Sequence, residues 1–181
     1  MLLDHRASLL LLIDIQEKLM PVMHEPQRVI ANAAILLGAA YRLGVPVIVT
    51  EQYPKGLGHT VPEIAGLIRD RDAIMPKIAF SAAADASTMA RLRQSRRGQV
   101  VIAGAEAHVC VLQTAIALVQ AGYQVFVAAD ATSAREQRNV DLAMDRLALN
   151  GISVISTEMA LFEWLARAGT EEFRELSHLI R

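Results

Sequence analysis

Short apolar runs alternate along this chain with longer segments in which apolar residues recur at helical spacing. Leu9 to Ile13 has no polar position on either face, the pattern of a strand covered on both sides, and Asp14 ends it. From Arg28 to Leu43 the spacing predicts a helix, with Gly44 as its stop. Val45 to Thr50, rich in β-branched residues, is the next strand, followed by a loop carrying Pro54, Gly56, Gly58 and Pro62. Ala73 to Ile78 is a weaker strand, interrupted by Pro76, which cannot donate to a ladder. Asp85 to Arg93 reads as helix, and Gln99 to Ala103 as a strand running into Gly104. A helix from His108 to Ala121 closes at Gly122, and a strand follows from Gln124 to Ala128. Glu136 to Asn150 is a helix stopped by Gly151, with Ser133 and Glu136 at capping-box spacing. Ile152 to Ile155 is the last strand, before helices over Met159 to Ala168 and Glu171 to Leu179.

The alternation predicts a six-stranded parallel sheet with helices on both faces, a single doubly wound α/β domain over residues 1–181. Length agrees, since 181 residues suit one domain better than two. At 53% hydrophobic residues, the chain has more apolar material than a small sphere readily hides, which points to a homo-oligomer. Balanced charge, 18 Lys and Arg against 19 Asp and Glu, argues against capture of nucleic acid. The longest apolar run falls far short of the ~20 residues that cross a bilayer, so no membrane partner is expected. No export signal is evident at the start of the chain. One cysteine permits no internal disulfide and suits a reducing compartment, so the expected location is cytoplasmic.

In a doubly wound sheet, ligands gather beyond the carboxyl ends of the strands. The residues there are Asp14, Thr50 to Tyr53, Lys77, Gly104 to Cys110, and Asp130. A cysteine in apolar surroundings is ordinarily a small core residue. Cys110, however, stands at the start of a helix, where unpaired N–H groups favour a thiolate and can also hold an oxyanion. Asp14 alone reads equally as a strand-end cap, and Lys77 alone as a solvated surface charge. Together they offer a thiol what it needs as a nucleophile, a base for its proton and a cation to lower its pKa. On this reading Cys110 titrates below the ~8.5 of a free thiol.

The stretches LLLLIDIQEKL, VTEQYPKGLGHT, PKIAFSA, VVIAGAEAHVCVLQTAIALVQAGYQVFVAADATSAR and GISVISTEMALFEWL resemble the isochorismatase-like hydrolases. The likeness covers nearly the whole chain in order and is nearest to the small isochorismatase-domain proteins of uncertain substrate. It implies a catalytic Asp at the end of the first strand, Asp14, a Lys after the third, Lys77, and a nucleophilic Cys after the fourth, Cys110. It also implies a cis peptide between Ala105 and Glu106, with the N–H groups of Glu106 and Cys110 as oxyanion donors. The chain departs from the metal-dependent nicotinamidases of that superfamily, which carry Asp-x-His after the second strand where Glu51, Gln52 and Tyr53 stand here. The five histidines, at 5, 24, 59, 108 and 178, show no zinc-type spacing, so neither metal nor cofactor is expected, although His59 and His108 are placed to line a pocket. Isochorismatase itself is similar in fold but lacks the cysteine, so Cys110 points to acyl chemistry.

The expected activity is therefore hydrolysis of a C–N bond in a small amide or carbamoyl compound through a thioester, independent of metal. Gln16, Gln52, Tyr53 and Phe80 are candidate substrate contacts, because they flank strand ends and mix aromatic with amide character. Two alternatives stand beside it: a catalytically idle scaffold acting through protein partners, and a different hydrolytic or isomerising reaction at the same cysteine. A nucleotide-binding domain has no support, since no glycine-rich phosphate motif follows the first strand.

Overall fold

The apolar run at Leu9 forms β1 (Ser8–Ile13), which is buried along its whole length. α1 (Pro26–Leu43) returns the chain to β2 (Val47–Gln52), and two single-turn helices, α2 (Pro54–Leu57) and α3 (Pro62–Ala65), precede β3 (Ile74–Lys77). α4 (Ala86–Gln94), β4 (Gln99–Ala105), α5 (Leu112–Gln120), β5 (Gln124–Ser133), α6 (Gln137–Leu149), β6 (Ser153–Ile155), α7 (Thr157–Leu165) and α8 (Glu171–Leu176) complete the order. This computed structural model describes residues 1–180.

The six strands form one parallel sheet in the order β3-β2-β1-β4-β5-β6. The chain winds outward from β1 to β3, then crosses back to lay β4 against the other side of β1. That reversal makes the gap between β1 and β4 the switch point of the sheet. Alternate residues of each strand enter different cores. Leu10, Leu12, Val49, Val101 and Phe126 pack with α1 and α7 residues such as Leu36, Leu37 and Trp164. Leu9, Leu11, Ile13, Ile48, Val100 and Val125 pack on the other face with Leu92, Ala115, Leu118 and Leu147. An uninterrupted apolar strand is the consequence of having no wet face.

Several boundaries differ from the sequence pattern for identifiable reasons. β2 begins at Val47, because the Val45 N–H closes the end of α1 on the Ala40 carbonyl. β5 continues past Ala128 to Ser133, with a register shift opposite Ile102 and Gly104. The capping box does not form: Ser133 lies in β5, its hydroxyl donating to the His24 carbonyl, and Glu136 caps α6 without a side-chain bond. The helix expected from His108 opens as a π-helical turn, Ala107–Val111, in which the Val111 N–H reaches back five residues to the Glu106 carbonyl. Asp130 accepts from the N–H and hydroxyl of Thr157, capping the start of α7. No helix among the described residues is long and apolar enough to cross a membrane.

Candidate active site

Register puts the carboxyl ends of β1, β2, β3 and β4 side by side. Ile13 pairs with Thr50 on one flank and Gly104 on the other, and Gln52 pairs with Lys77. β1 and β3 are separated by β2, a gap of about 9–10 Å at normal strand spacing. The long lysine side chain spans it. Lys77 Nζ lies 2.7 Å from Asp14 Oδ2, and both side chains are fully buried.

Burying two charges is costly unless their remaining hydrogen-bonding capacity is met. Here it is. Thr50 Oγ1 donates to Asp14 Oδ1 at 2.7 Å, and the Asp14 N–H donates to the Thr50 carbonyl. Lys77 Nζ also reaches Gln52 Oε1 at 2.6 Å, the Phe80 carbonyl at 3.0 Å and the Ala79 carbonyl at 3.3 Å. Four acceptors surround a group with three N–H donors, so none is left over for a ligand. Asp14 itself adopts a left-handed φ of 53°.

Cys110 comes from the π turn and completes the group. It is 5% exposed and packs into the core on the Ile13 and Ile102 side of the sheet. Burial, reinforced by the Asp14 carboxylate, pushes its thiol up to about 12, against the opposing pull of Lys77. This reverses the expectation of a lowered thiol. The sequence position implied an exposed helix N-terminus, whereas the fold closes apolar side chains over the sulfur and sets a carboxylate against it. The resting group is a thiol with a buried carboxylate near it.

Gly104 makes the convergence possible. Its φ is 128°, and a Cβ there would sit 1.9 Å from the Ile13 carbonyl oxygen. Beyond it, the Ala105–Glu106 peptide is cis. The Glu106 side chain is drawn away to Arg135, with Oε2 3.2 Å from Nε.

The other candidates separate into builders and rim. Gln16 is wholly buried and its amide is spent on backbone, donating to the Gln52 and Gly58 carbonyls and accepting from the Gln52 N–H. Gln52 turns its oxygen to Lys77 and its nitrogen to the Ile78 carbonyl. Tyr53 and Phe80 are 53% and 55% exposed, each tied to Lys77 through backbone: the Tyr53 N–H donates to the Lys77 carbonyl, and the Phe80 carbonyl accepts from Nζ. The Tyr53 ring lies so close over Gly56 that a Cβ there would meet it at 2.4 Å. His59 is exposed and pairs with Glu51 at 3.0 Å, which holds the imidazole above its usual pKa. Burial pushes the Glu51 carboxyl up, but the Thr60 N–H, His59 and the Thr60 hydroxyl outweigh it and hold it below the usual range. His108 faces a groove of about 590 Å³ with Ser81, Gln113 and Arg146. Among the described residues, no three His, Cys, Asp or Glu side chains are grouped to hold a metal ion. Thr50 is the member of this cluster that residue type did not single out; its signal is the two-residue spacing that puts it on the same face of β2 as Gln52.

Comparison with known proteins sets this geometry in context. The family model described as the isochorismatase domain matches residues 8–159. Isochorismatase domain-containing protein 2 of Danio rerio is 36% identical over 180 residues, covering 98% of this chain and 89% of that protein. The structure of MAR1 ribonuclease from Caenorhabditis elegans superposes with a TM-score of 0.93 at 32% identity, covering 99% of this chain and 92% of that one. The Escherichia coli YcaC gene product, an octameric hydrolase of unknown specificity, shares the fold with a TM-score of 0.91 at 23% identity, over 98% and 90% of the two chains. With a family match across most of its length and relatives above one-third identity, the chain belongs to the isochorismatase domain family.

Proposed function

We propose that this protein is a cysteine hydrolase that cleaves the C–N bond of a small amide or carbamoyl compound, with Cys110 as nucleophile, Asp14 as base and Lys77 as the cation that holds Asp14. The observation that carries this reading is the buried Asp14–Lys77 pair, 2.7 Å apart, set against a buried thiol. A carboxylate paired with an ammonium near a protonated sulfur is placed to take its proton during attack. A thiol held near 12 suits that order of events, since the nucleophile is generated only as the carbon–sulfur bond forms.

In the proposed cycle, the Cys110 proton passes to Asp14 as sulfur bonds to the substrate carbonyl carbon. The resulting oxyanion is held by the N–H groups of Glu106 and Cys110. Asp14 returns the proton to the leaving nitrogen, the C–N bond breaks, and ammonia or an amine departs, leaving a thioester. Water, giving a proton to Asp14, attacks that thioester. The carbon–sulfur bond then breaks, and the same proton restores the thiol. No metal is needed for any step. Tyr53 and Phe80 offer exposed rings at the rim for the body of the substrate, while the amides of Gln16 and Gln52, already engaged, serve to hold the site in shape. We place the protein in the cytoplasm as a homo-oligomer acting on small molecules. Ribonuclease activity, named for the C. elegans relative, would call for a cationic track along phosphates, which a net charge of −1 does not favour.

A panel of small primary amides and carbamoyl compounds, read by ammonia release, tests the proposal. At least one member is expected to turn over. Cys110→Ala and Asp14→Asn should each abolish that turnover. Lys77→Met should slow iodoacetamide alkylation of Cys110, and Asp14→Asn should accelerate it by removing a charge that opposes ionisation. A folded protein whose Cys110 resists alkylation and which hydrolyses nothing in the panel would instead be a scaffold.

A further inference from the structure

α5 and α6 each return from the carboxyl end of a parallel strand, so they pack together running the same way. With the short turn Ala82–Ala84 they line the groove of about 590 Å³, a size that suits a small molecule. His108, Leu112, Ile116 and Gln120 descend one wall at four-residue spacing, the signature of a single helix face. Cys110, two residues from His108 along a helical turn, points to roughly the opposite side and packs into the core. The groove is therefore separate from the buried thiol. Its ends differ from its middle. Leu112 and Ile116 make the middle apolar. Ser81, His108 and Gln113 lie at the π-turn end, while Gln120 closes α5 and Arg146 stands in the last turn of α6. No carboxylate lines the groove. Among the described residues, no ion pair or hydrogen bond engages the Arg146 guanidinium, and only its backbone carbonyl is used, by Asn150. At the other end, His108 Nδ1 is the one buried side-chain nitrogen or oxygen among the described residues without a hydrogen-bond partner. Buried polar atoms are otherwise paired, because an unmade bond costs free energy.

We propose that this groove is a second binding site, for a small elongated organic acid, with its carboxylate paired to Arg146, its aliphatic body along Leu112 and Ile116, and a polar end at His108. An unengaged guanidinium in a lining free of carboxylates selects for a negative charge and can hold a carboxylate with two parallel hydrogen bonds. The helix face from His108 to Gln120 is roughly 18 Å long, so a compact anion such as acetate meets one end only. A longer acid covers the apolar middle and brings a polar group to the imidazole, which can donate or accept. The site stands apart from the chemistry at Cys110 and holds even if that thiol is inert. Because His108 shares the π turn with Cys110, the ligand would lie against the segment that sets the cysteine beside the sheet.

The test uses the full chain and suberate, an eight-carbon dicarboxylate, measured by equilibrium dialysis, with the uncharged eight-carbon diol of equal length as the control probe. Suberate should bind at a saturable site, and the diol at least roughly tenfold more weakly, the scale of a hydrogen bond to a charged group. Arg146→Met keeps an aliphatic side chain and removes the guanidinium. It should weaken suberate by about the same factor and leave the diol unchanged. Ala117→Phe places a ring in the groove wall and should block both probes. Trp164 fluorescence on denaturation checks that each variant is folded, and Arg146, exposed and unpaired, leaves little for its loss to disturb. Should Ala117→Phe fail to fold, the Arg146→Met comparison decides the matter alone. No saturable uptake of suberate by the folded protein overturns the site. Suberate bound no better than the diol, or bound equally by folded Arg146→Met, overturns the assignment of a carboxylate to Arg146.

Discussion

Lys77 shows how one residue becomes something different once folded. Most lysines keep their ammonium in water, but this one is sealed in, ringed by a carboxylate, an amide oxygen and two carbonyls. Its charge therefore acts on Asp14 and Cys110, not on solvent. The raised thiol has a consequence for stability that can be measured. A folded pKa of about 12, against ~8.5 for an unfolded cysteine, means the thiol stays protonated in the native state while the unfolded chain ionises. The stabilising contribution is complete below ~8.5 and is lost as pH rises from there toward about 12. Denaturant midpoints of the protein and of Cys110→Ala should keep a constant difference from pH 6 to 8, by this linkage roughly. Above that range the unsubstituted protein should lose stability relative to the variant. A difference that stays flat into alkaline conditions would show that Cys110 titrates normally.

At the scale of elements, the site depends on how closely β4 approaches β1. Gly104 allows it, having both a left-handed φ and no side chain to strike the Ile13 carbonyl. Gly104→Ala meets backbone, which cannot swing aside as a flexible side chain would. We expect a loss of at least ~3 kcal/mol, seen as a fall of roughly 6–12 °C in Tm for a chain of this size. Because Ile13 precedes Asp14, the same substitution should disturb Cys110 alkylation in whatever fraction stays folded. A variant as stable as its parent would mean that the strands separate at no cost. The π turn acts at the same scale. By drawing the Val111 N–H back to Glu106, it sets Cys110 beside the sheet before α5 begins.

For the whole molecule, two well-filled cores leave large apolar side chains outside. Leu149 is 88% exposed, Ile78 73% and Phe80 55%, the latter two on the chain that follows the edge strand β3. Contact with further copies would cover such groups, as the apolar composition suggests. Sedimentation velocity should accordingly give a multiple of the 19.7 kDa chain mass. A species of single-chain mass over a wide concentration range would refute self-association. The buried Trp164, bonded to Ser8, is the chain's one tryptophan and supplies a fluorescence report on unfolding in the same samples.

The sequence by itself determined the order and type of the strands and main helices, because a strand covered on both faces must be apolar throughout and a helix between layers must repeat its apolar positions. It also brought Asp14, Lys77 and Cys110 forward, since each stands at or beyond the carboxyl end of a strand and all strands run the same way. Element ends were less legible: the Val45 N–H went to a helix cap, Ser133 to a strand, and the Cys110 helix to a π turn, each decided by a partner distant in the fold or by local backbone geometry. Only the tertiary structure decided the electrostatics. Whether a helix start lowers a thiol depends on what closes over it, and here apolar packing and the Asp14 carboxylate raised it. Gln16 and Gln52 likewise looked like substrate contacts by residue type, while their hydrogen bonds tie them to backbone and Lys77. Thr50 stood among the strand-end residues, but its bond to Asp14 appeared only when β2 was laid between β1 and β3, because a hydroxyl acquires its role from the group it reaches.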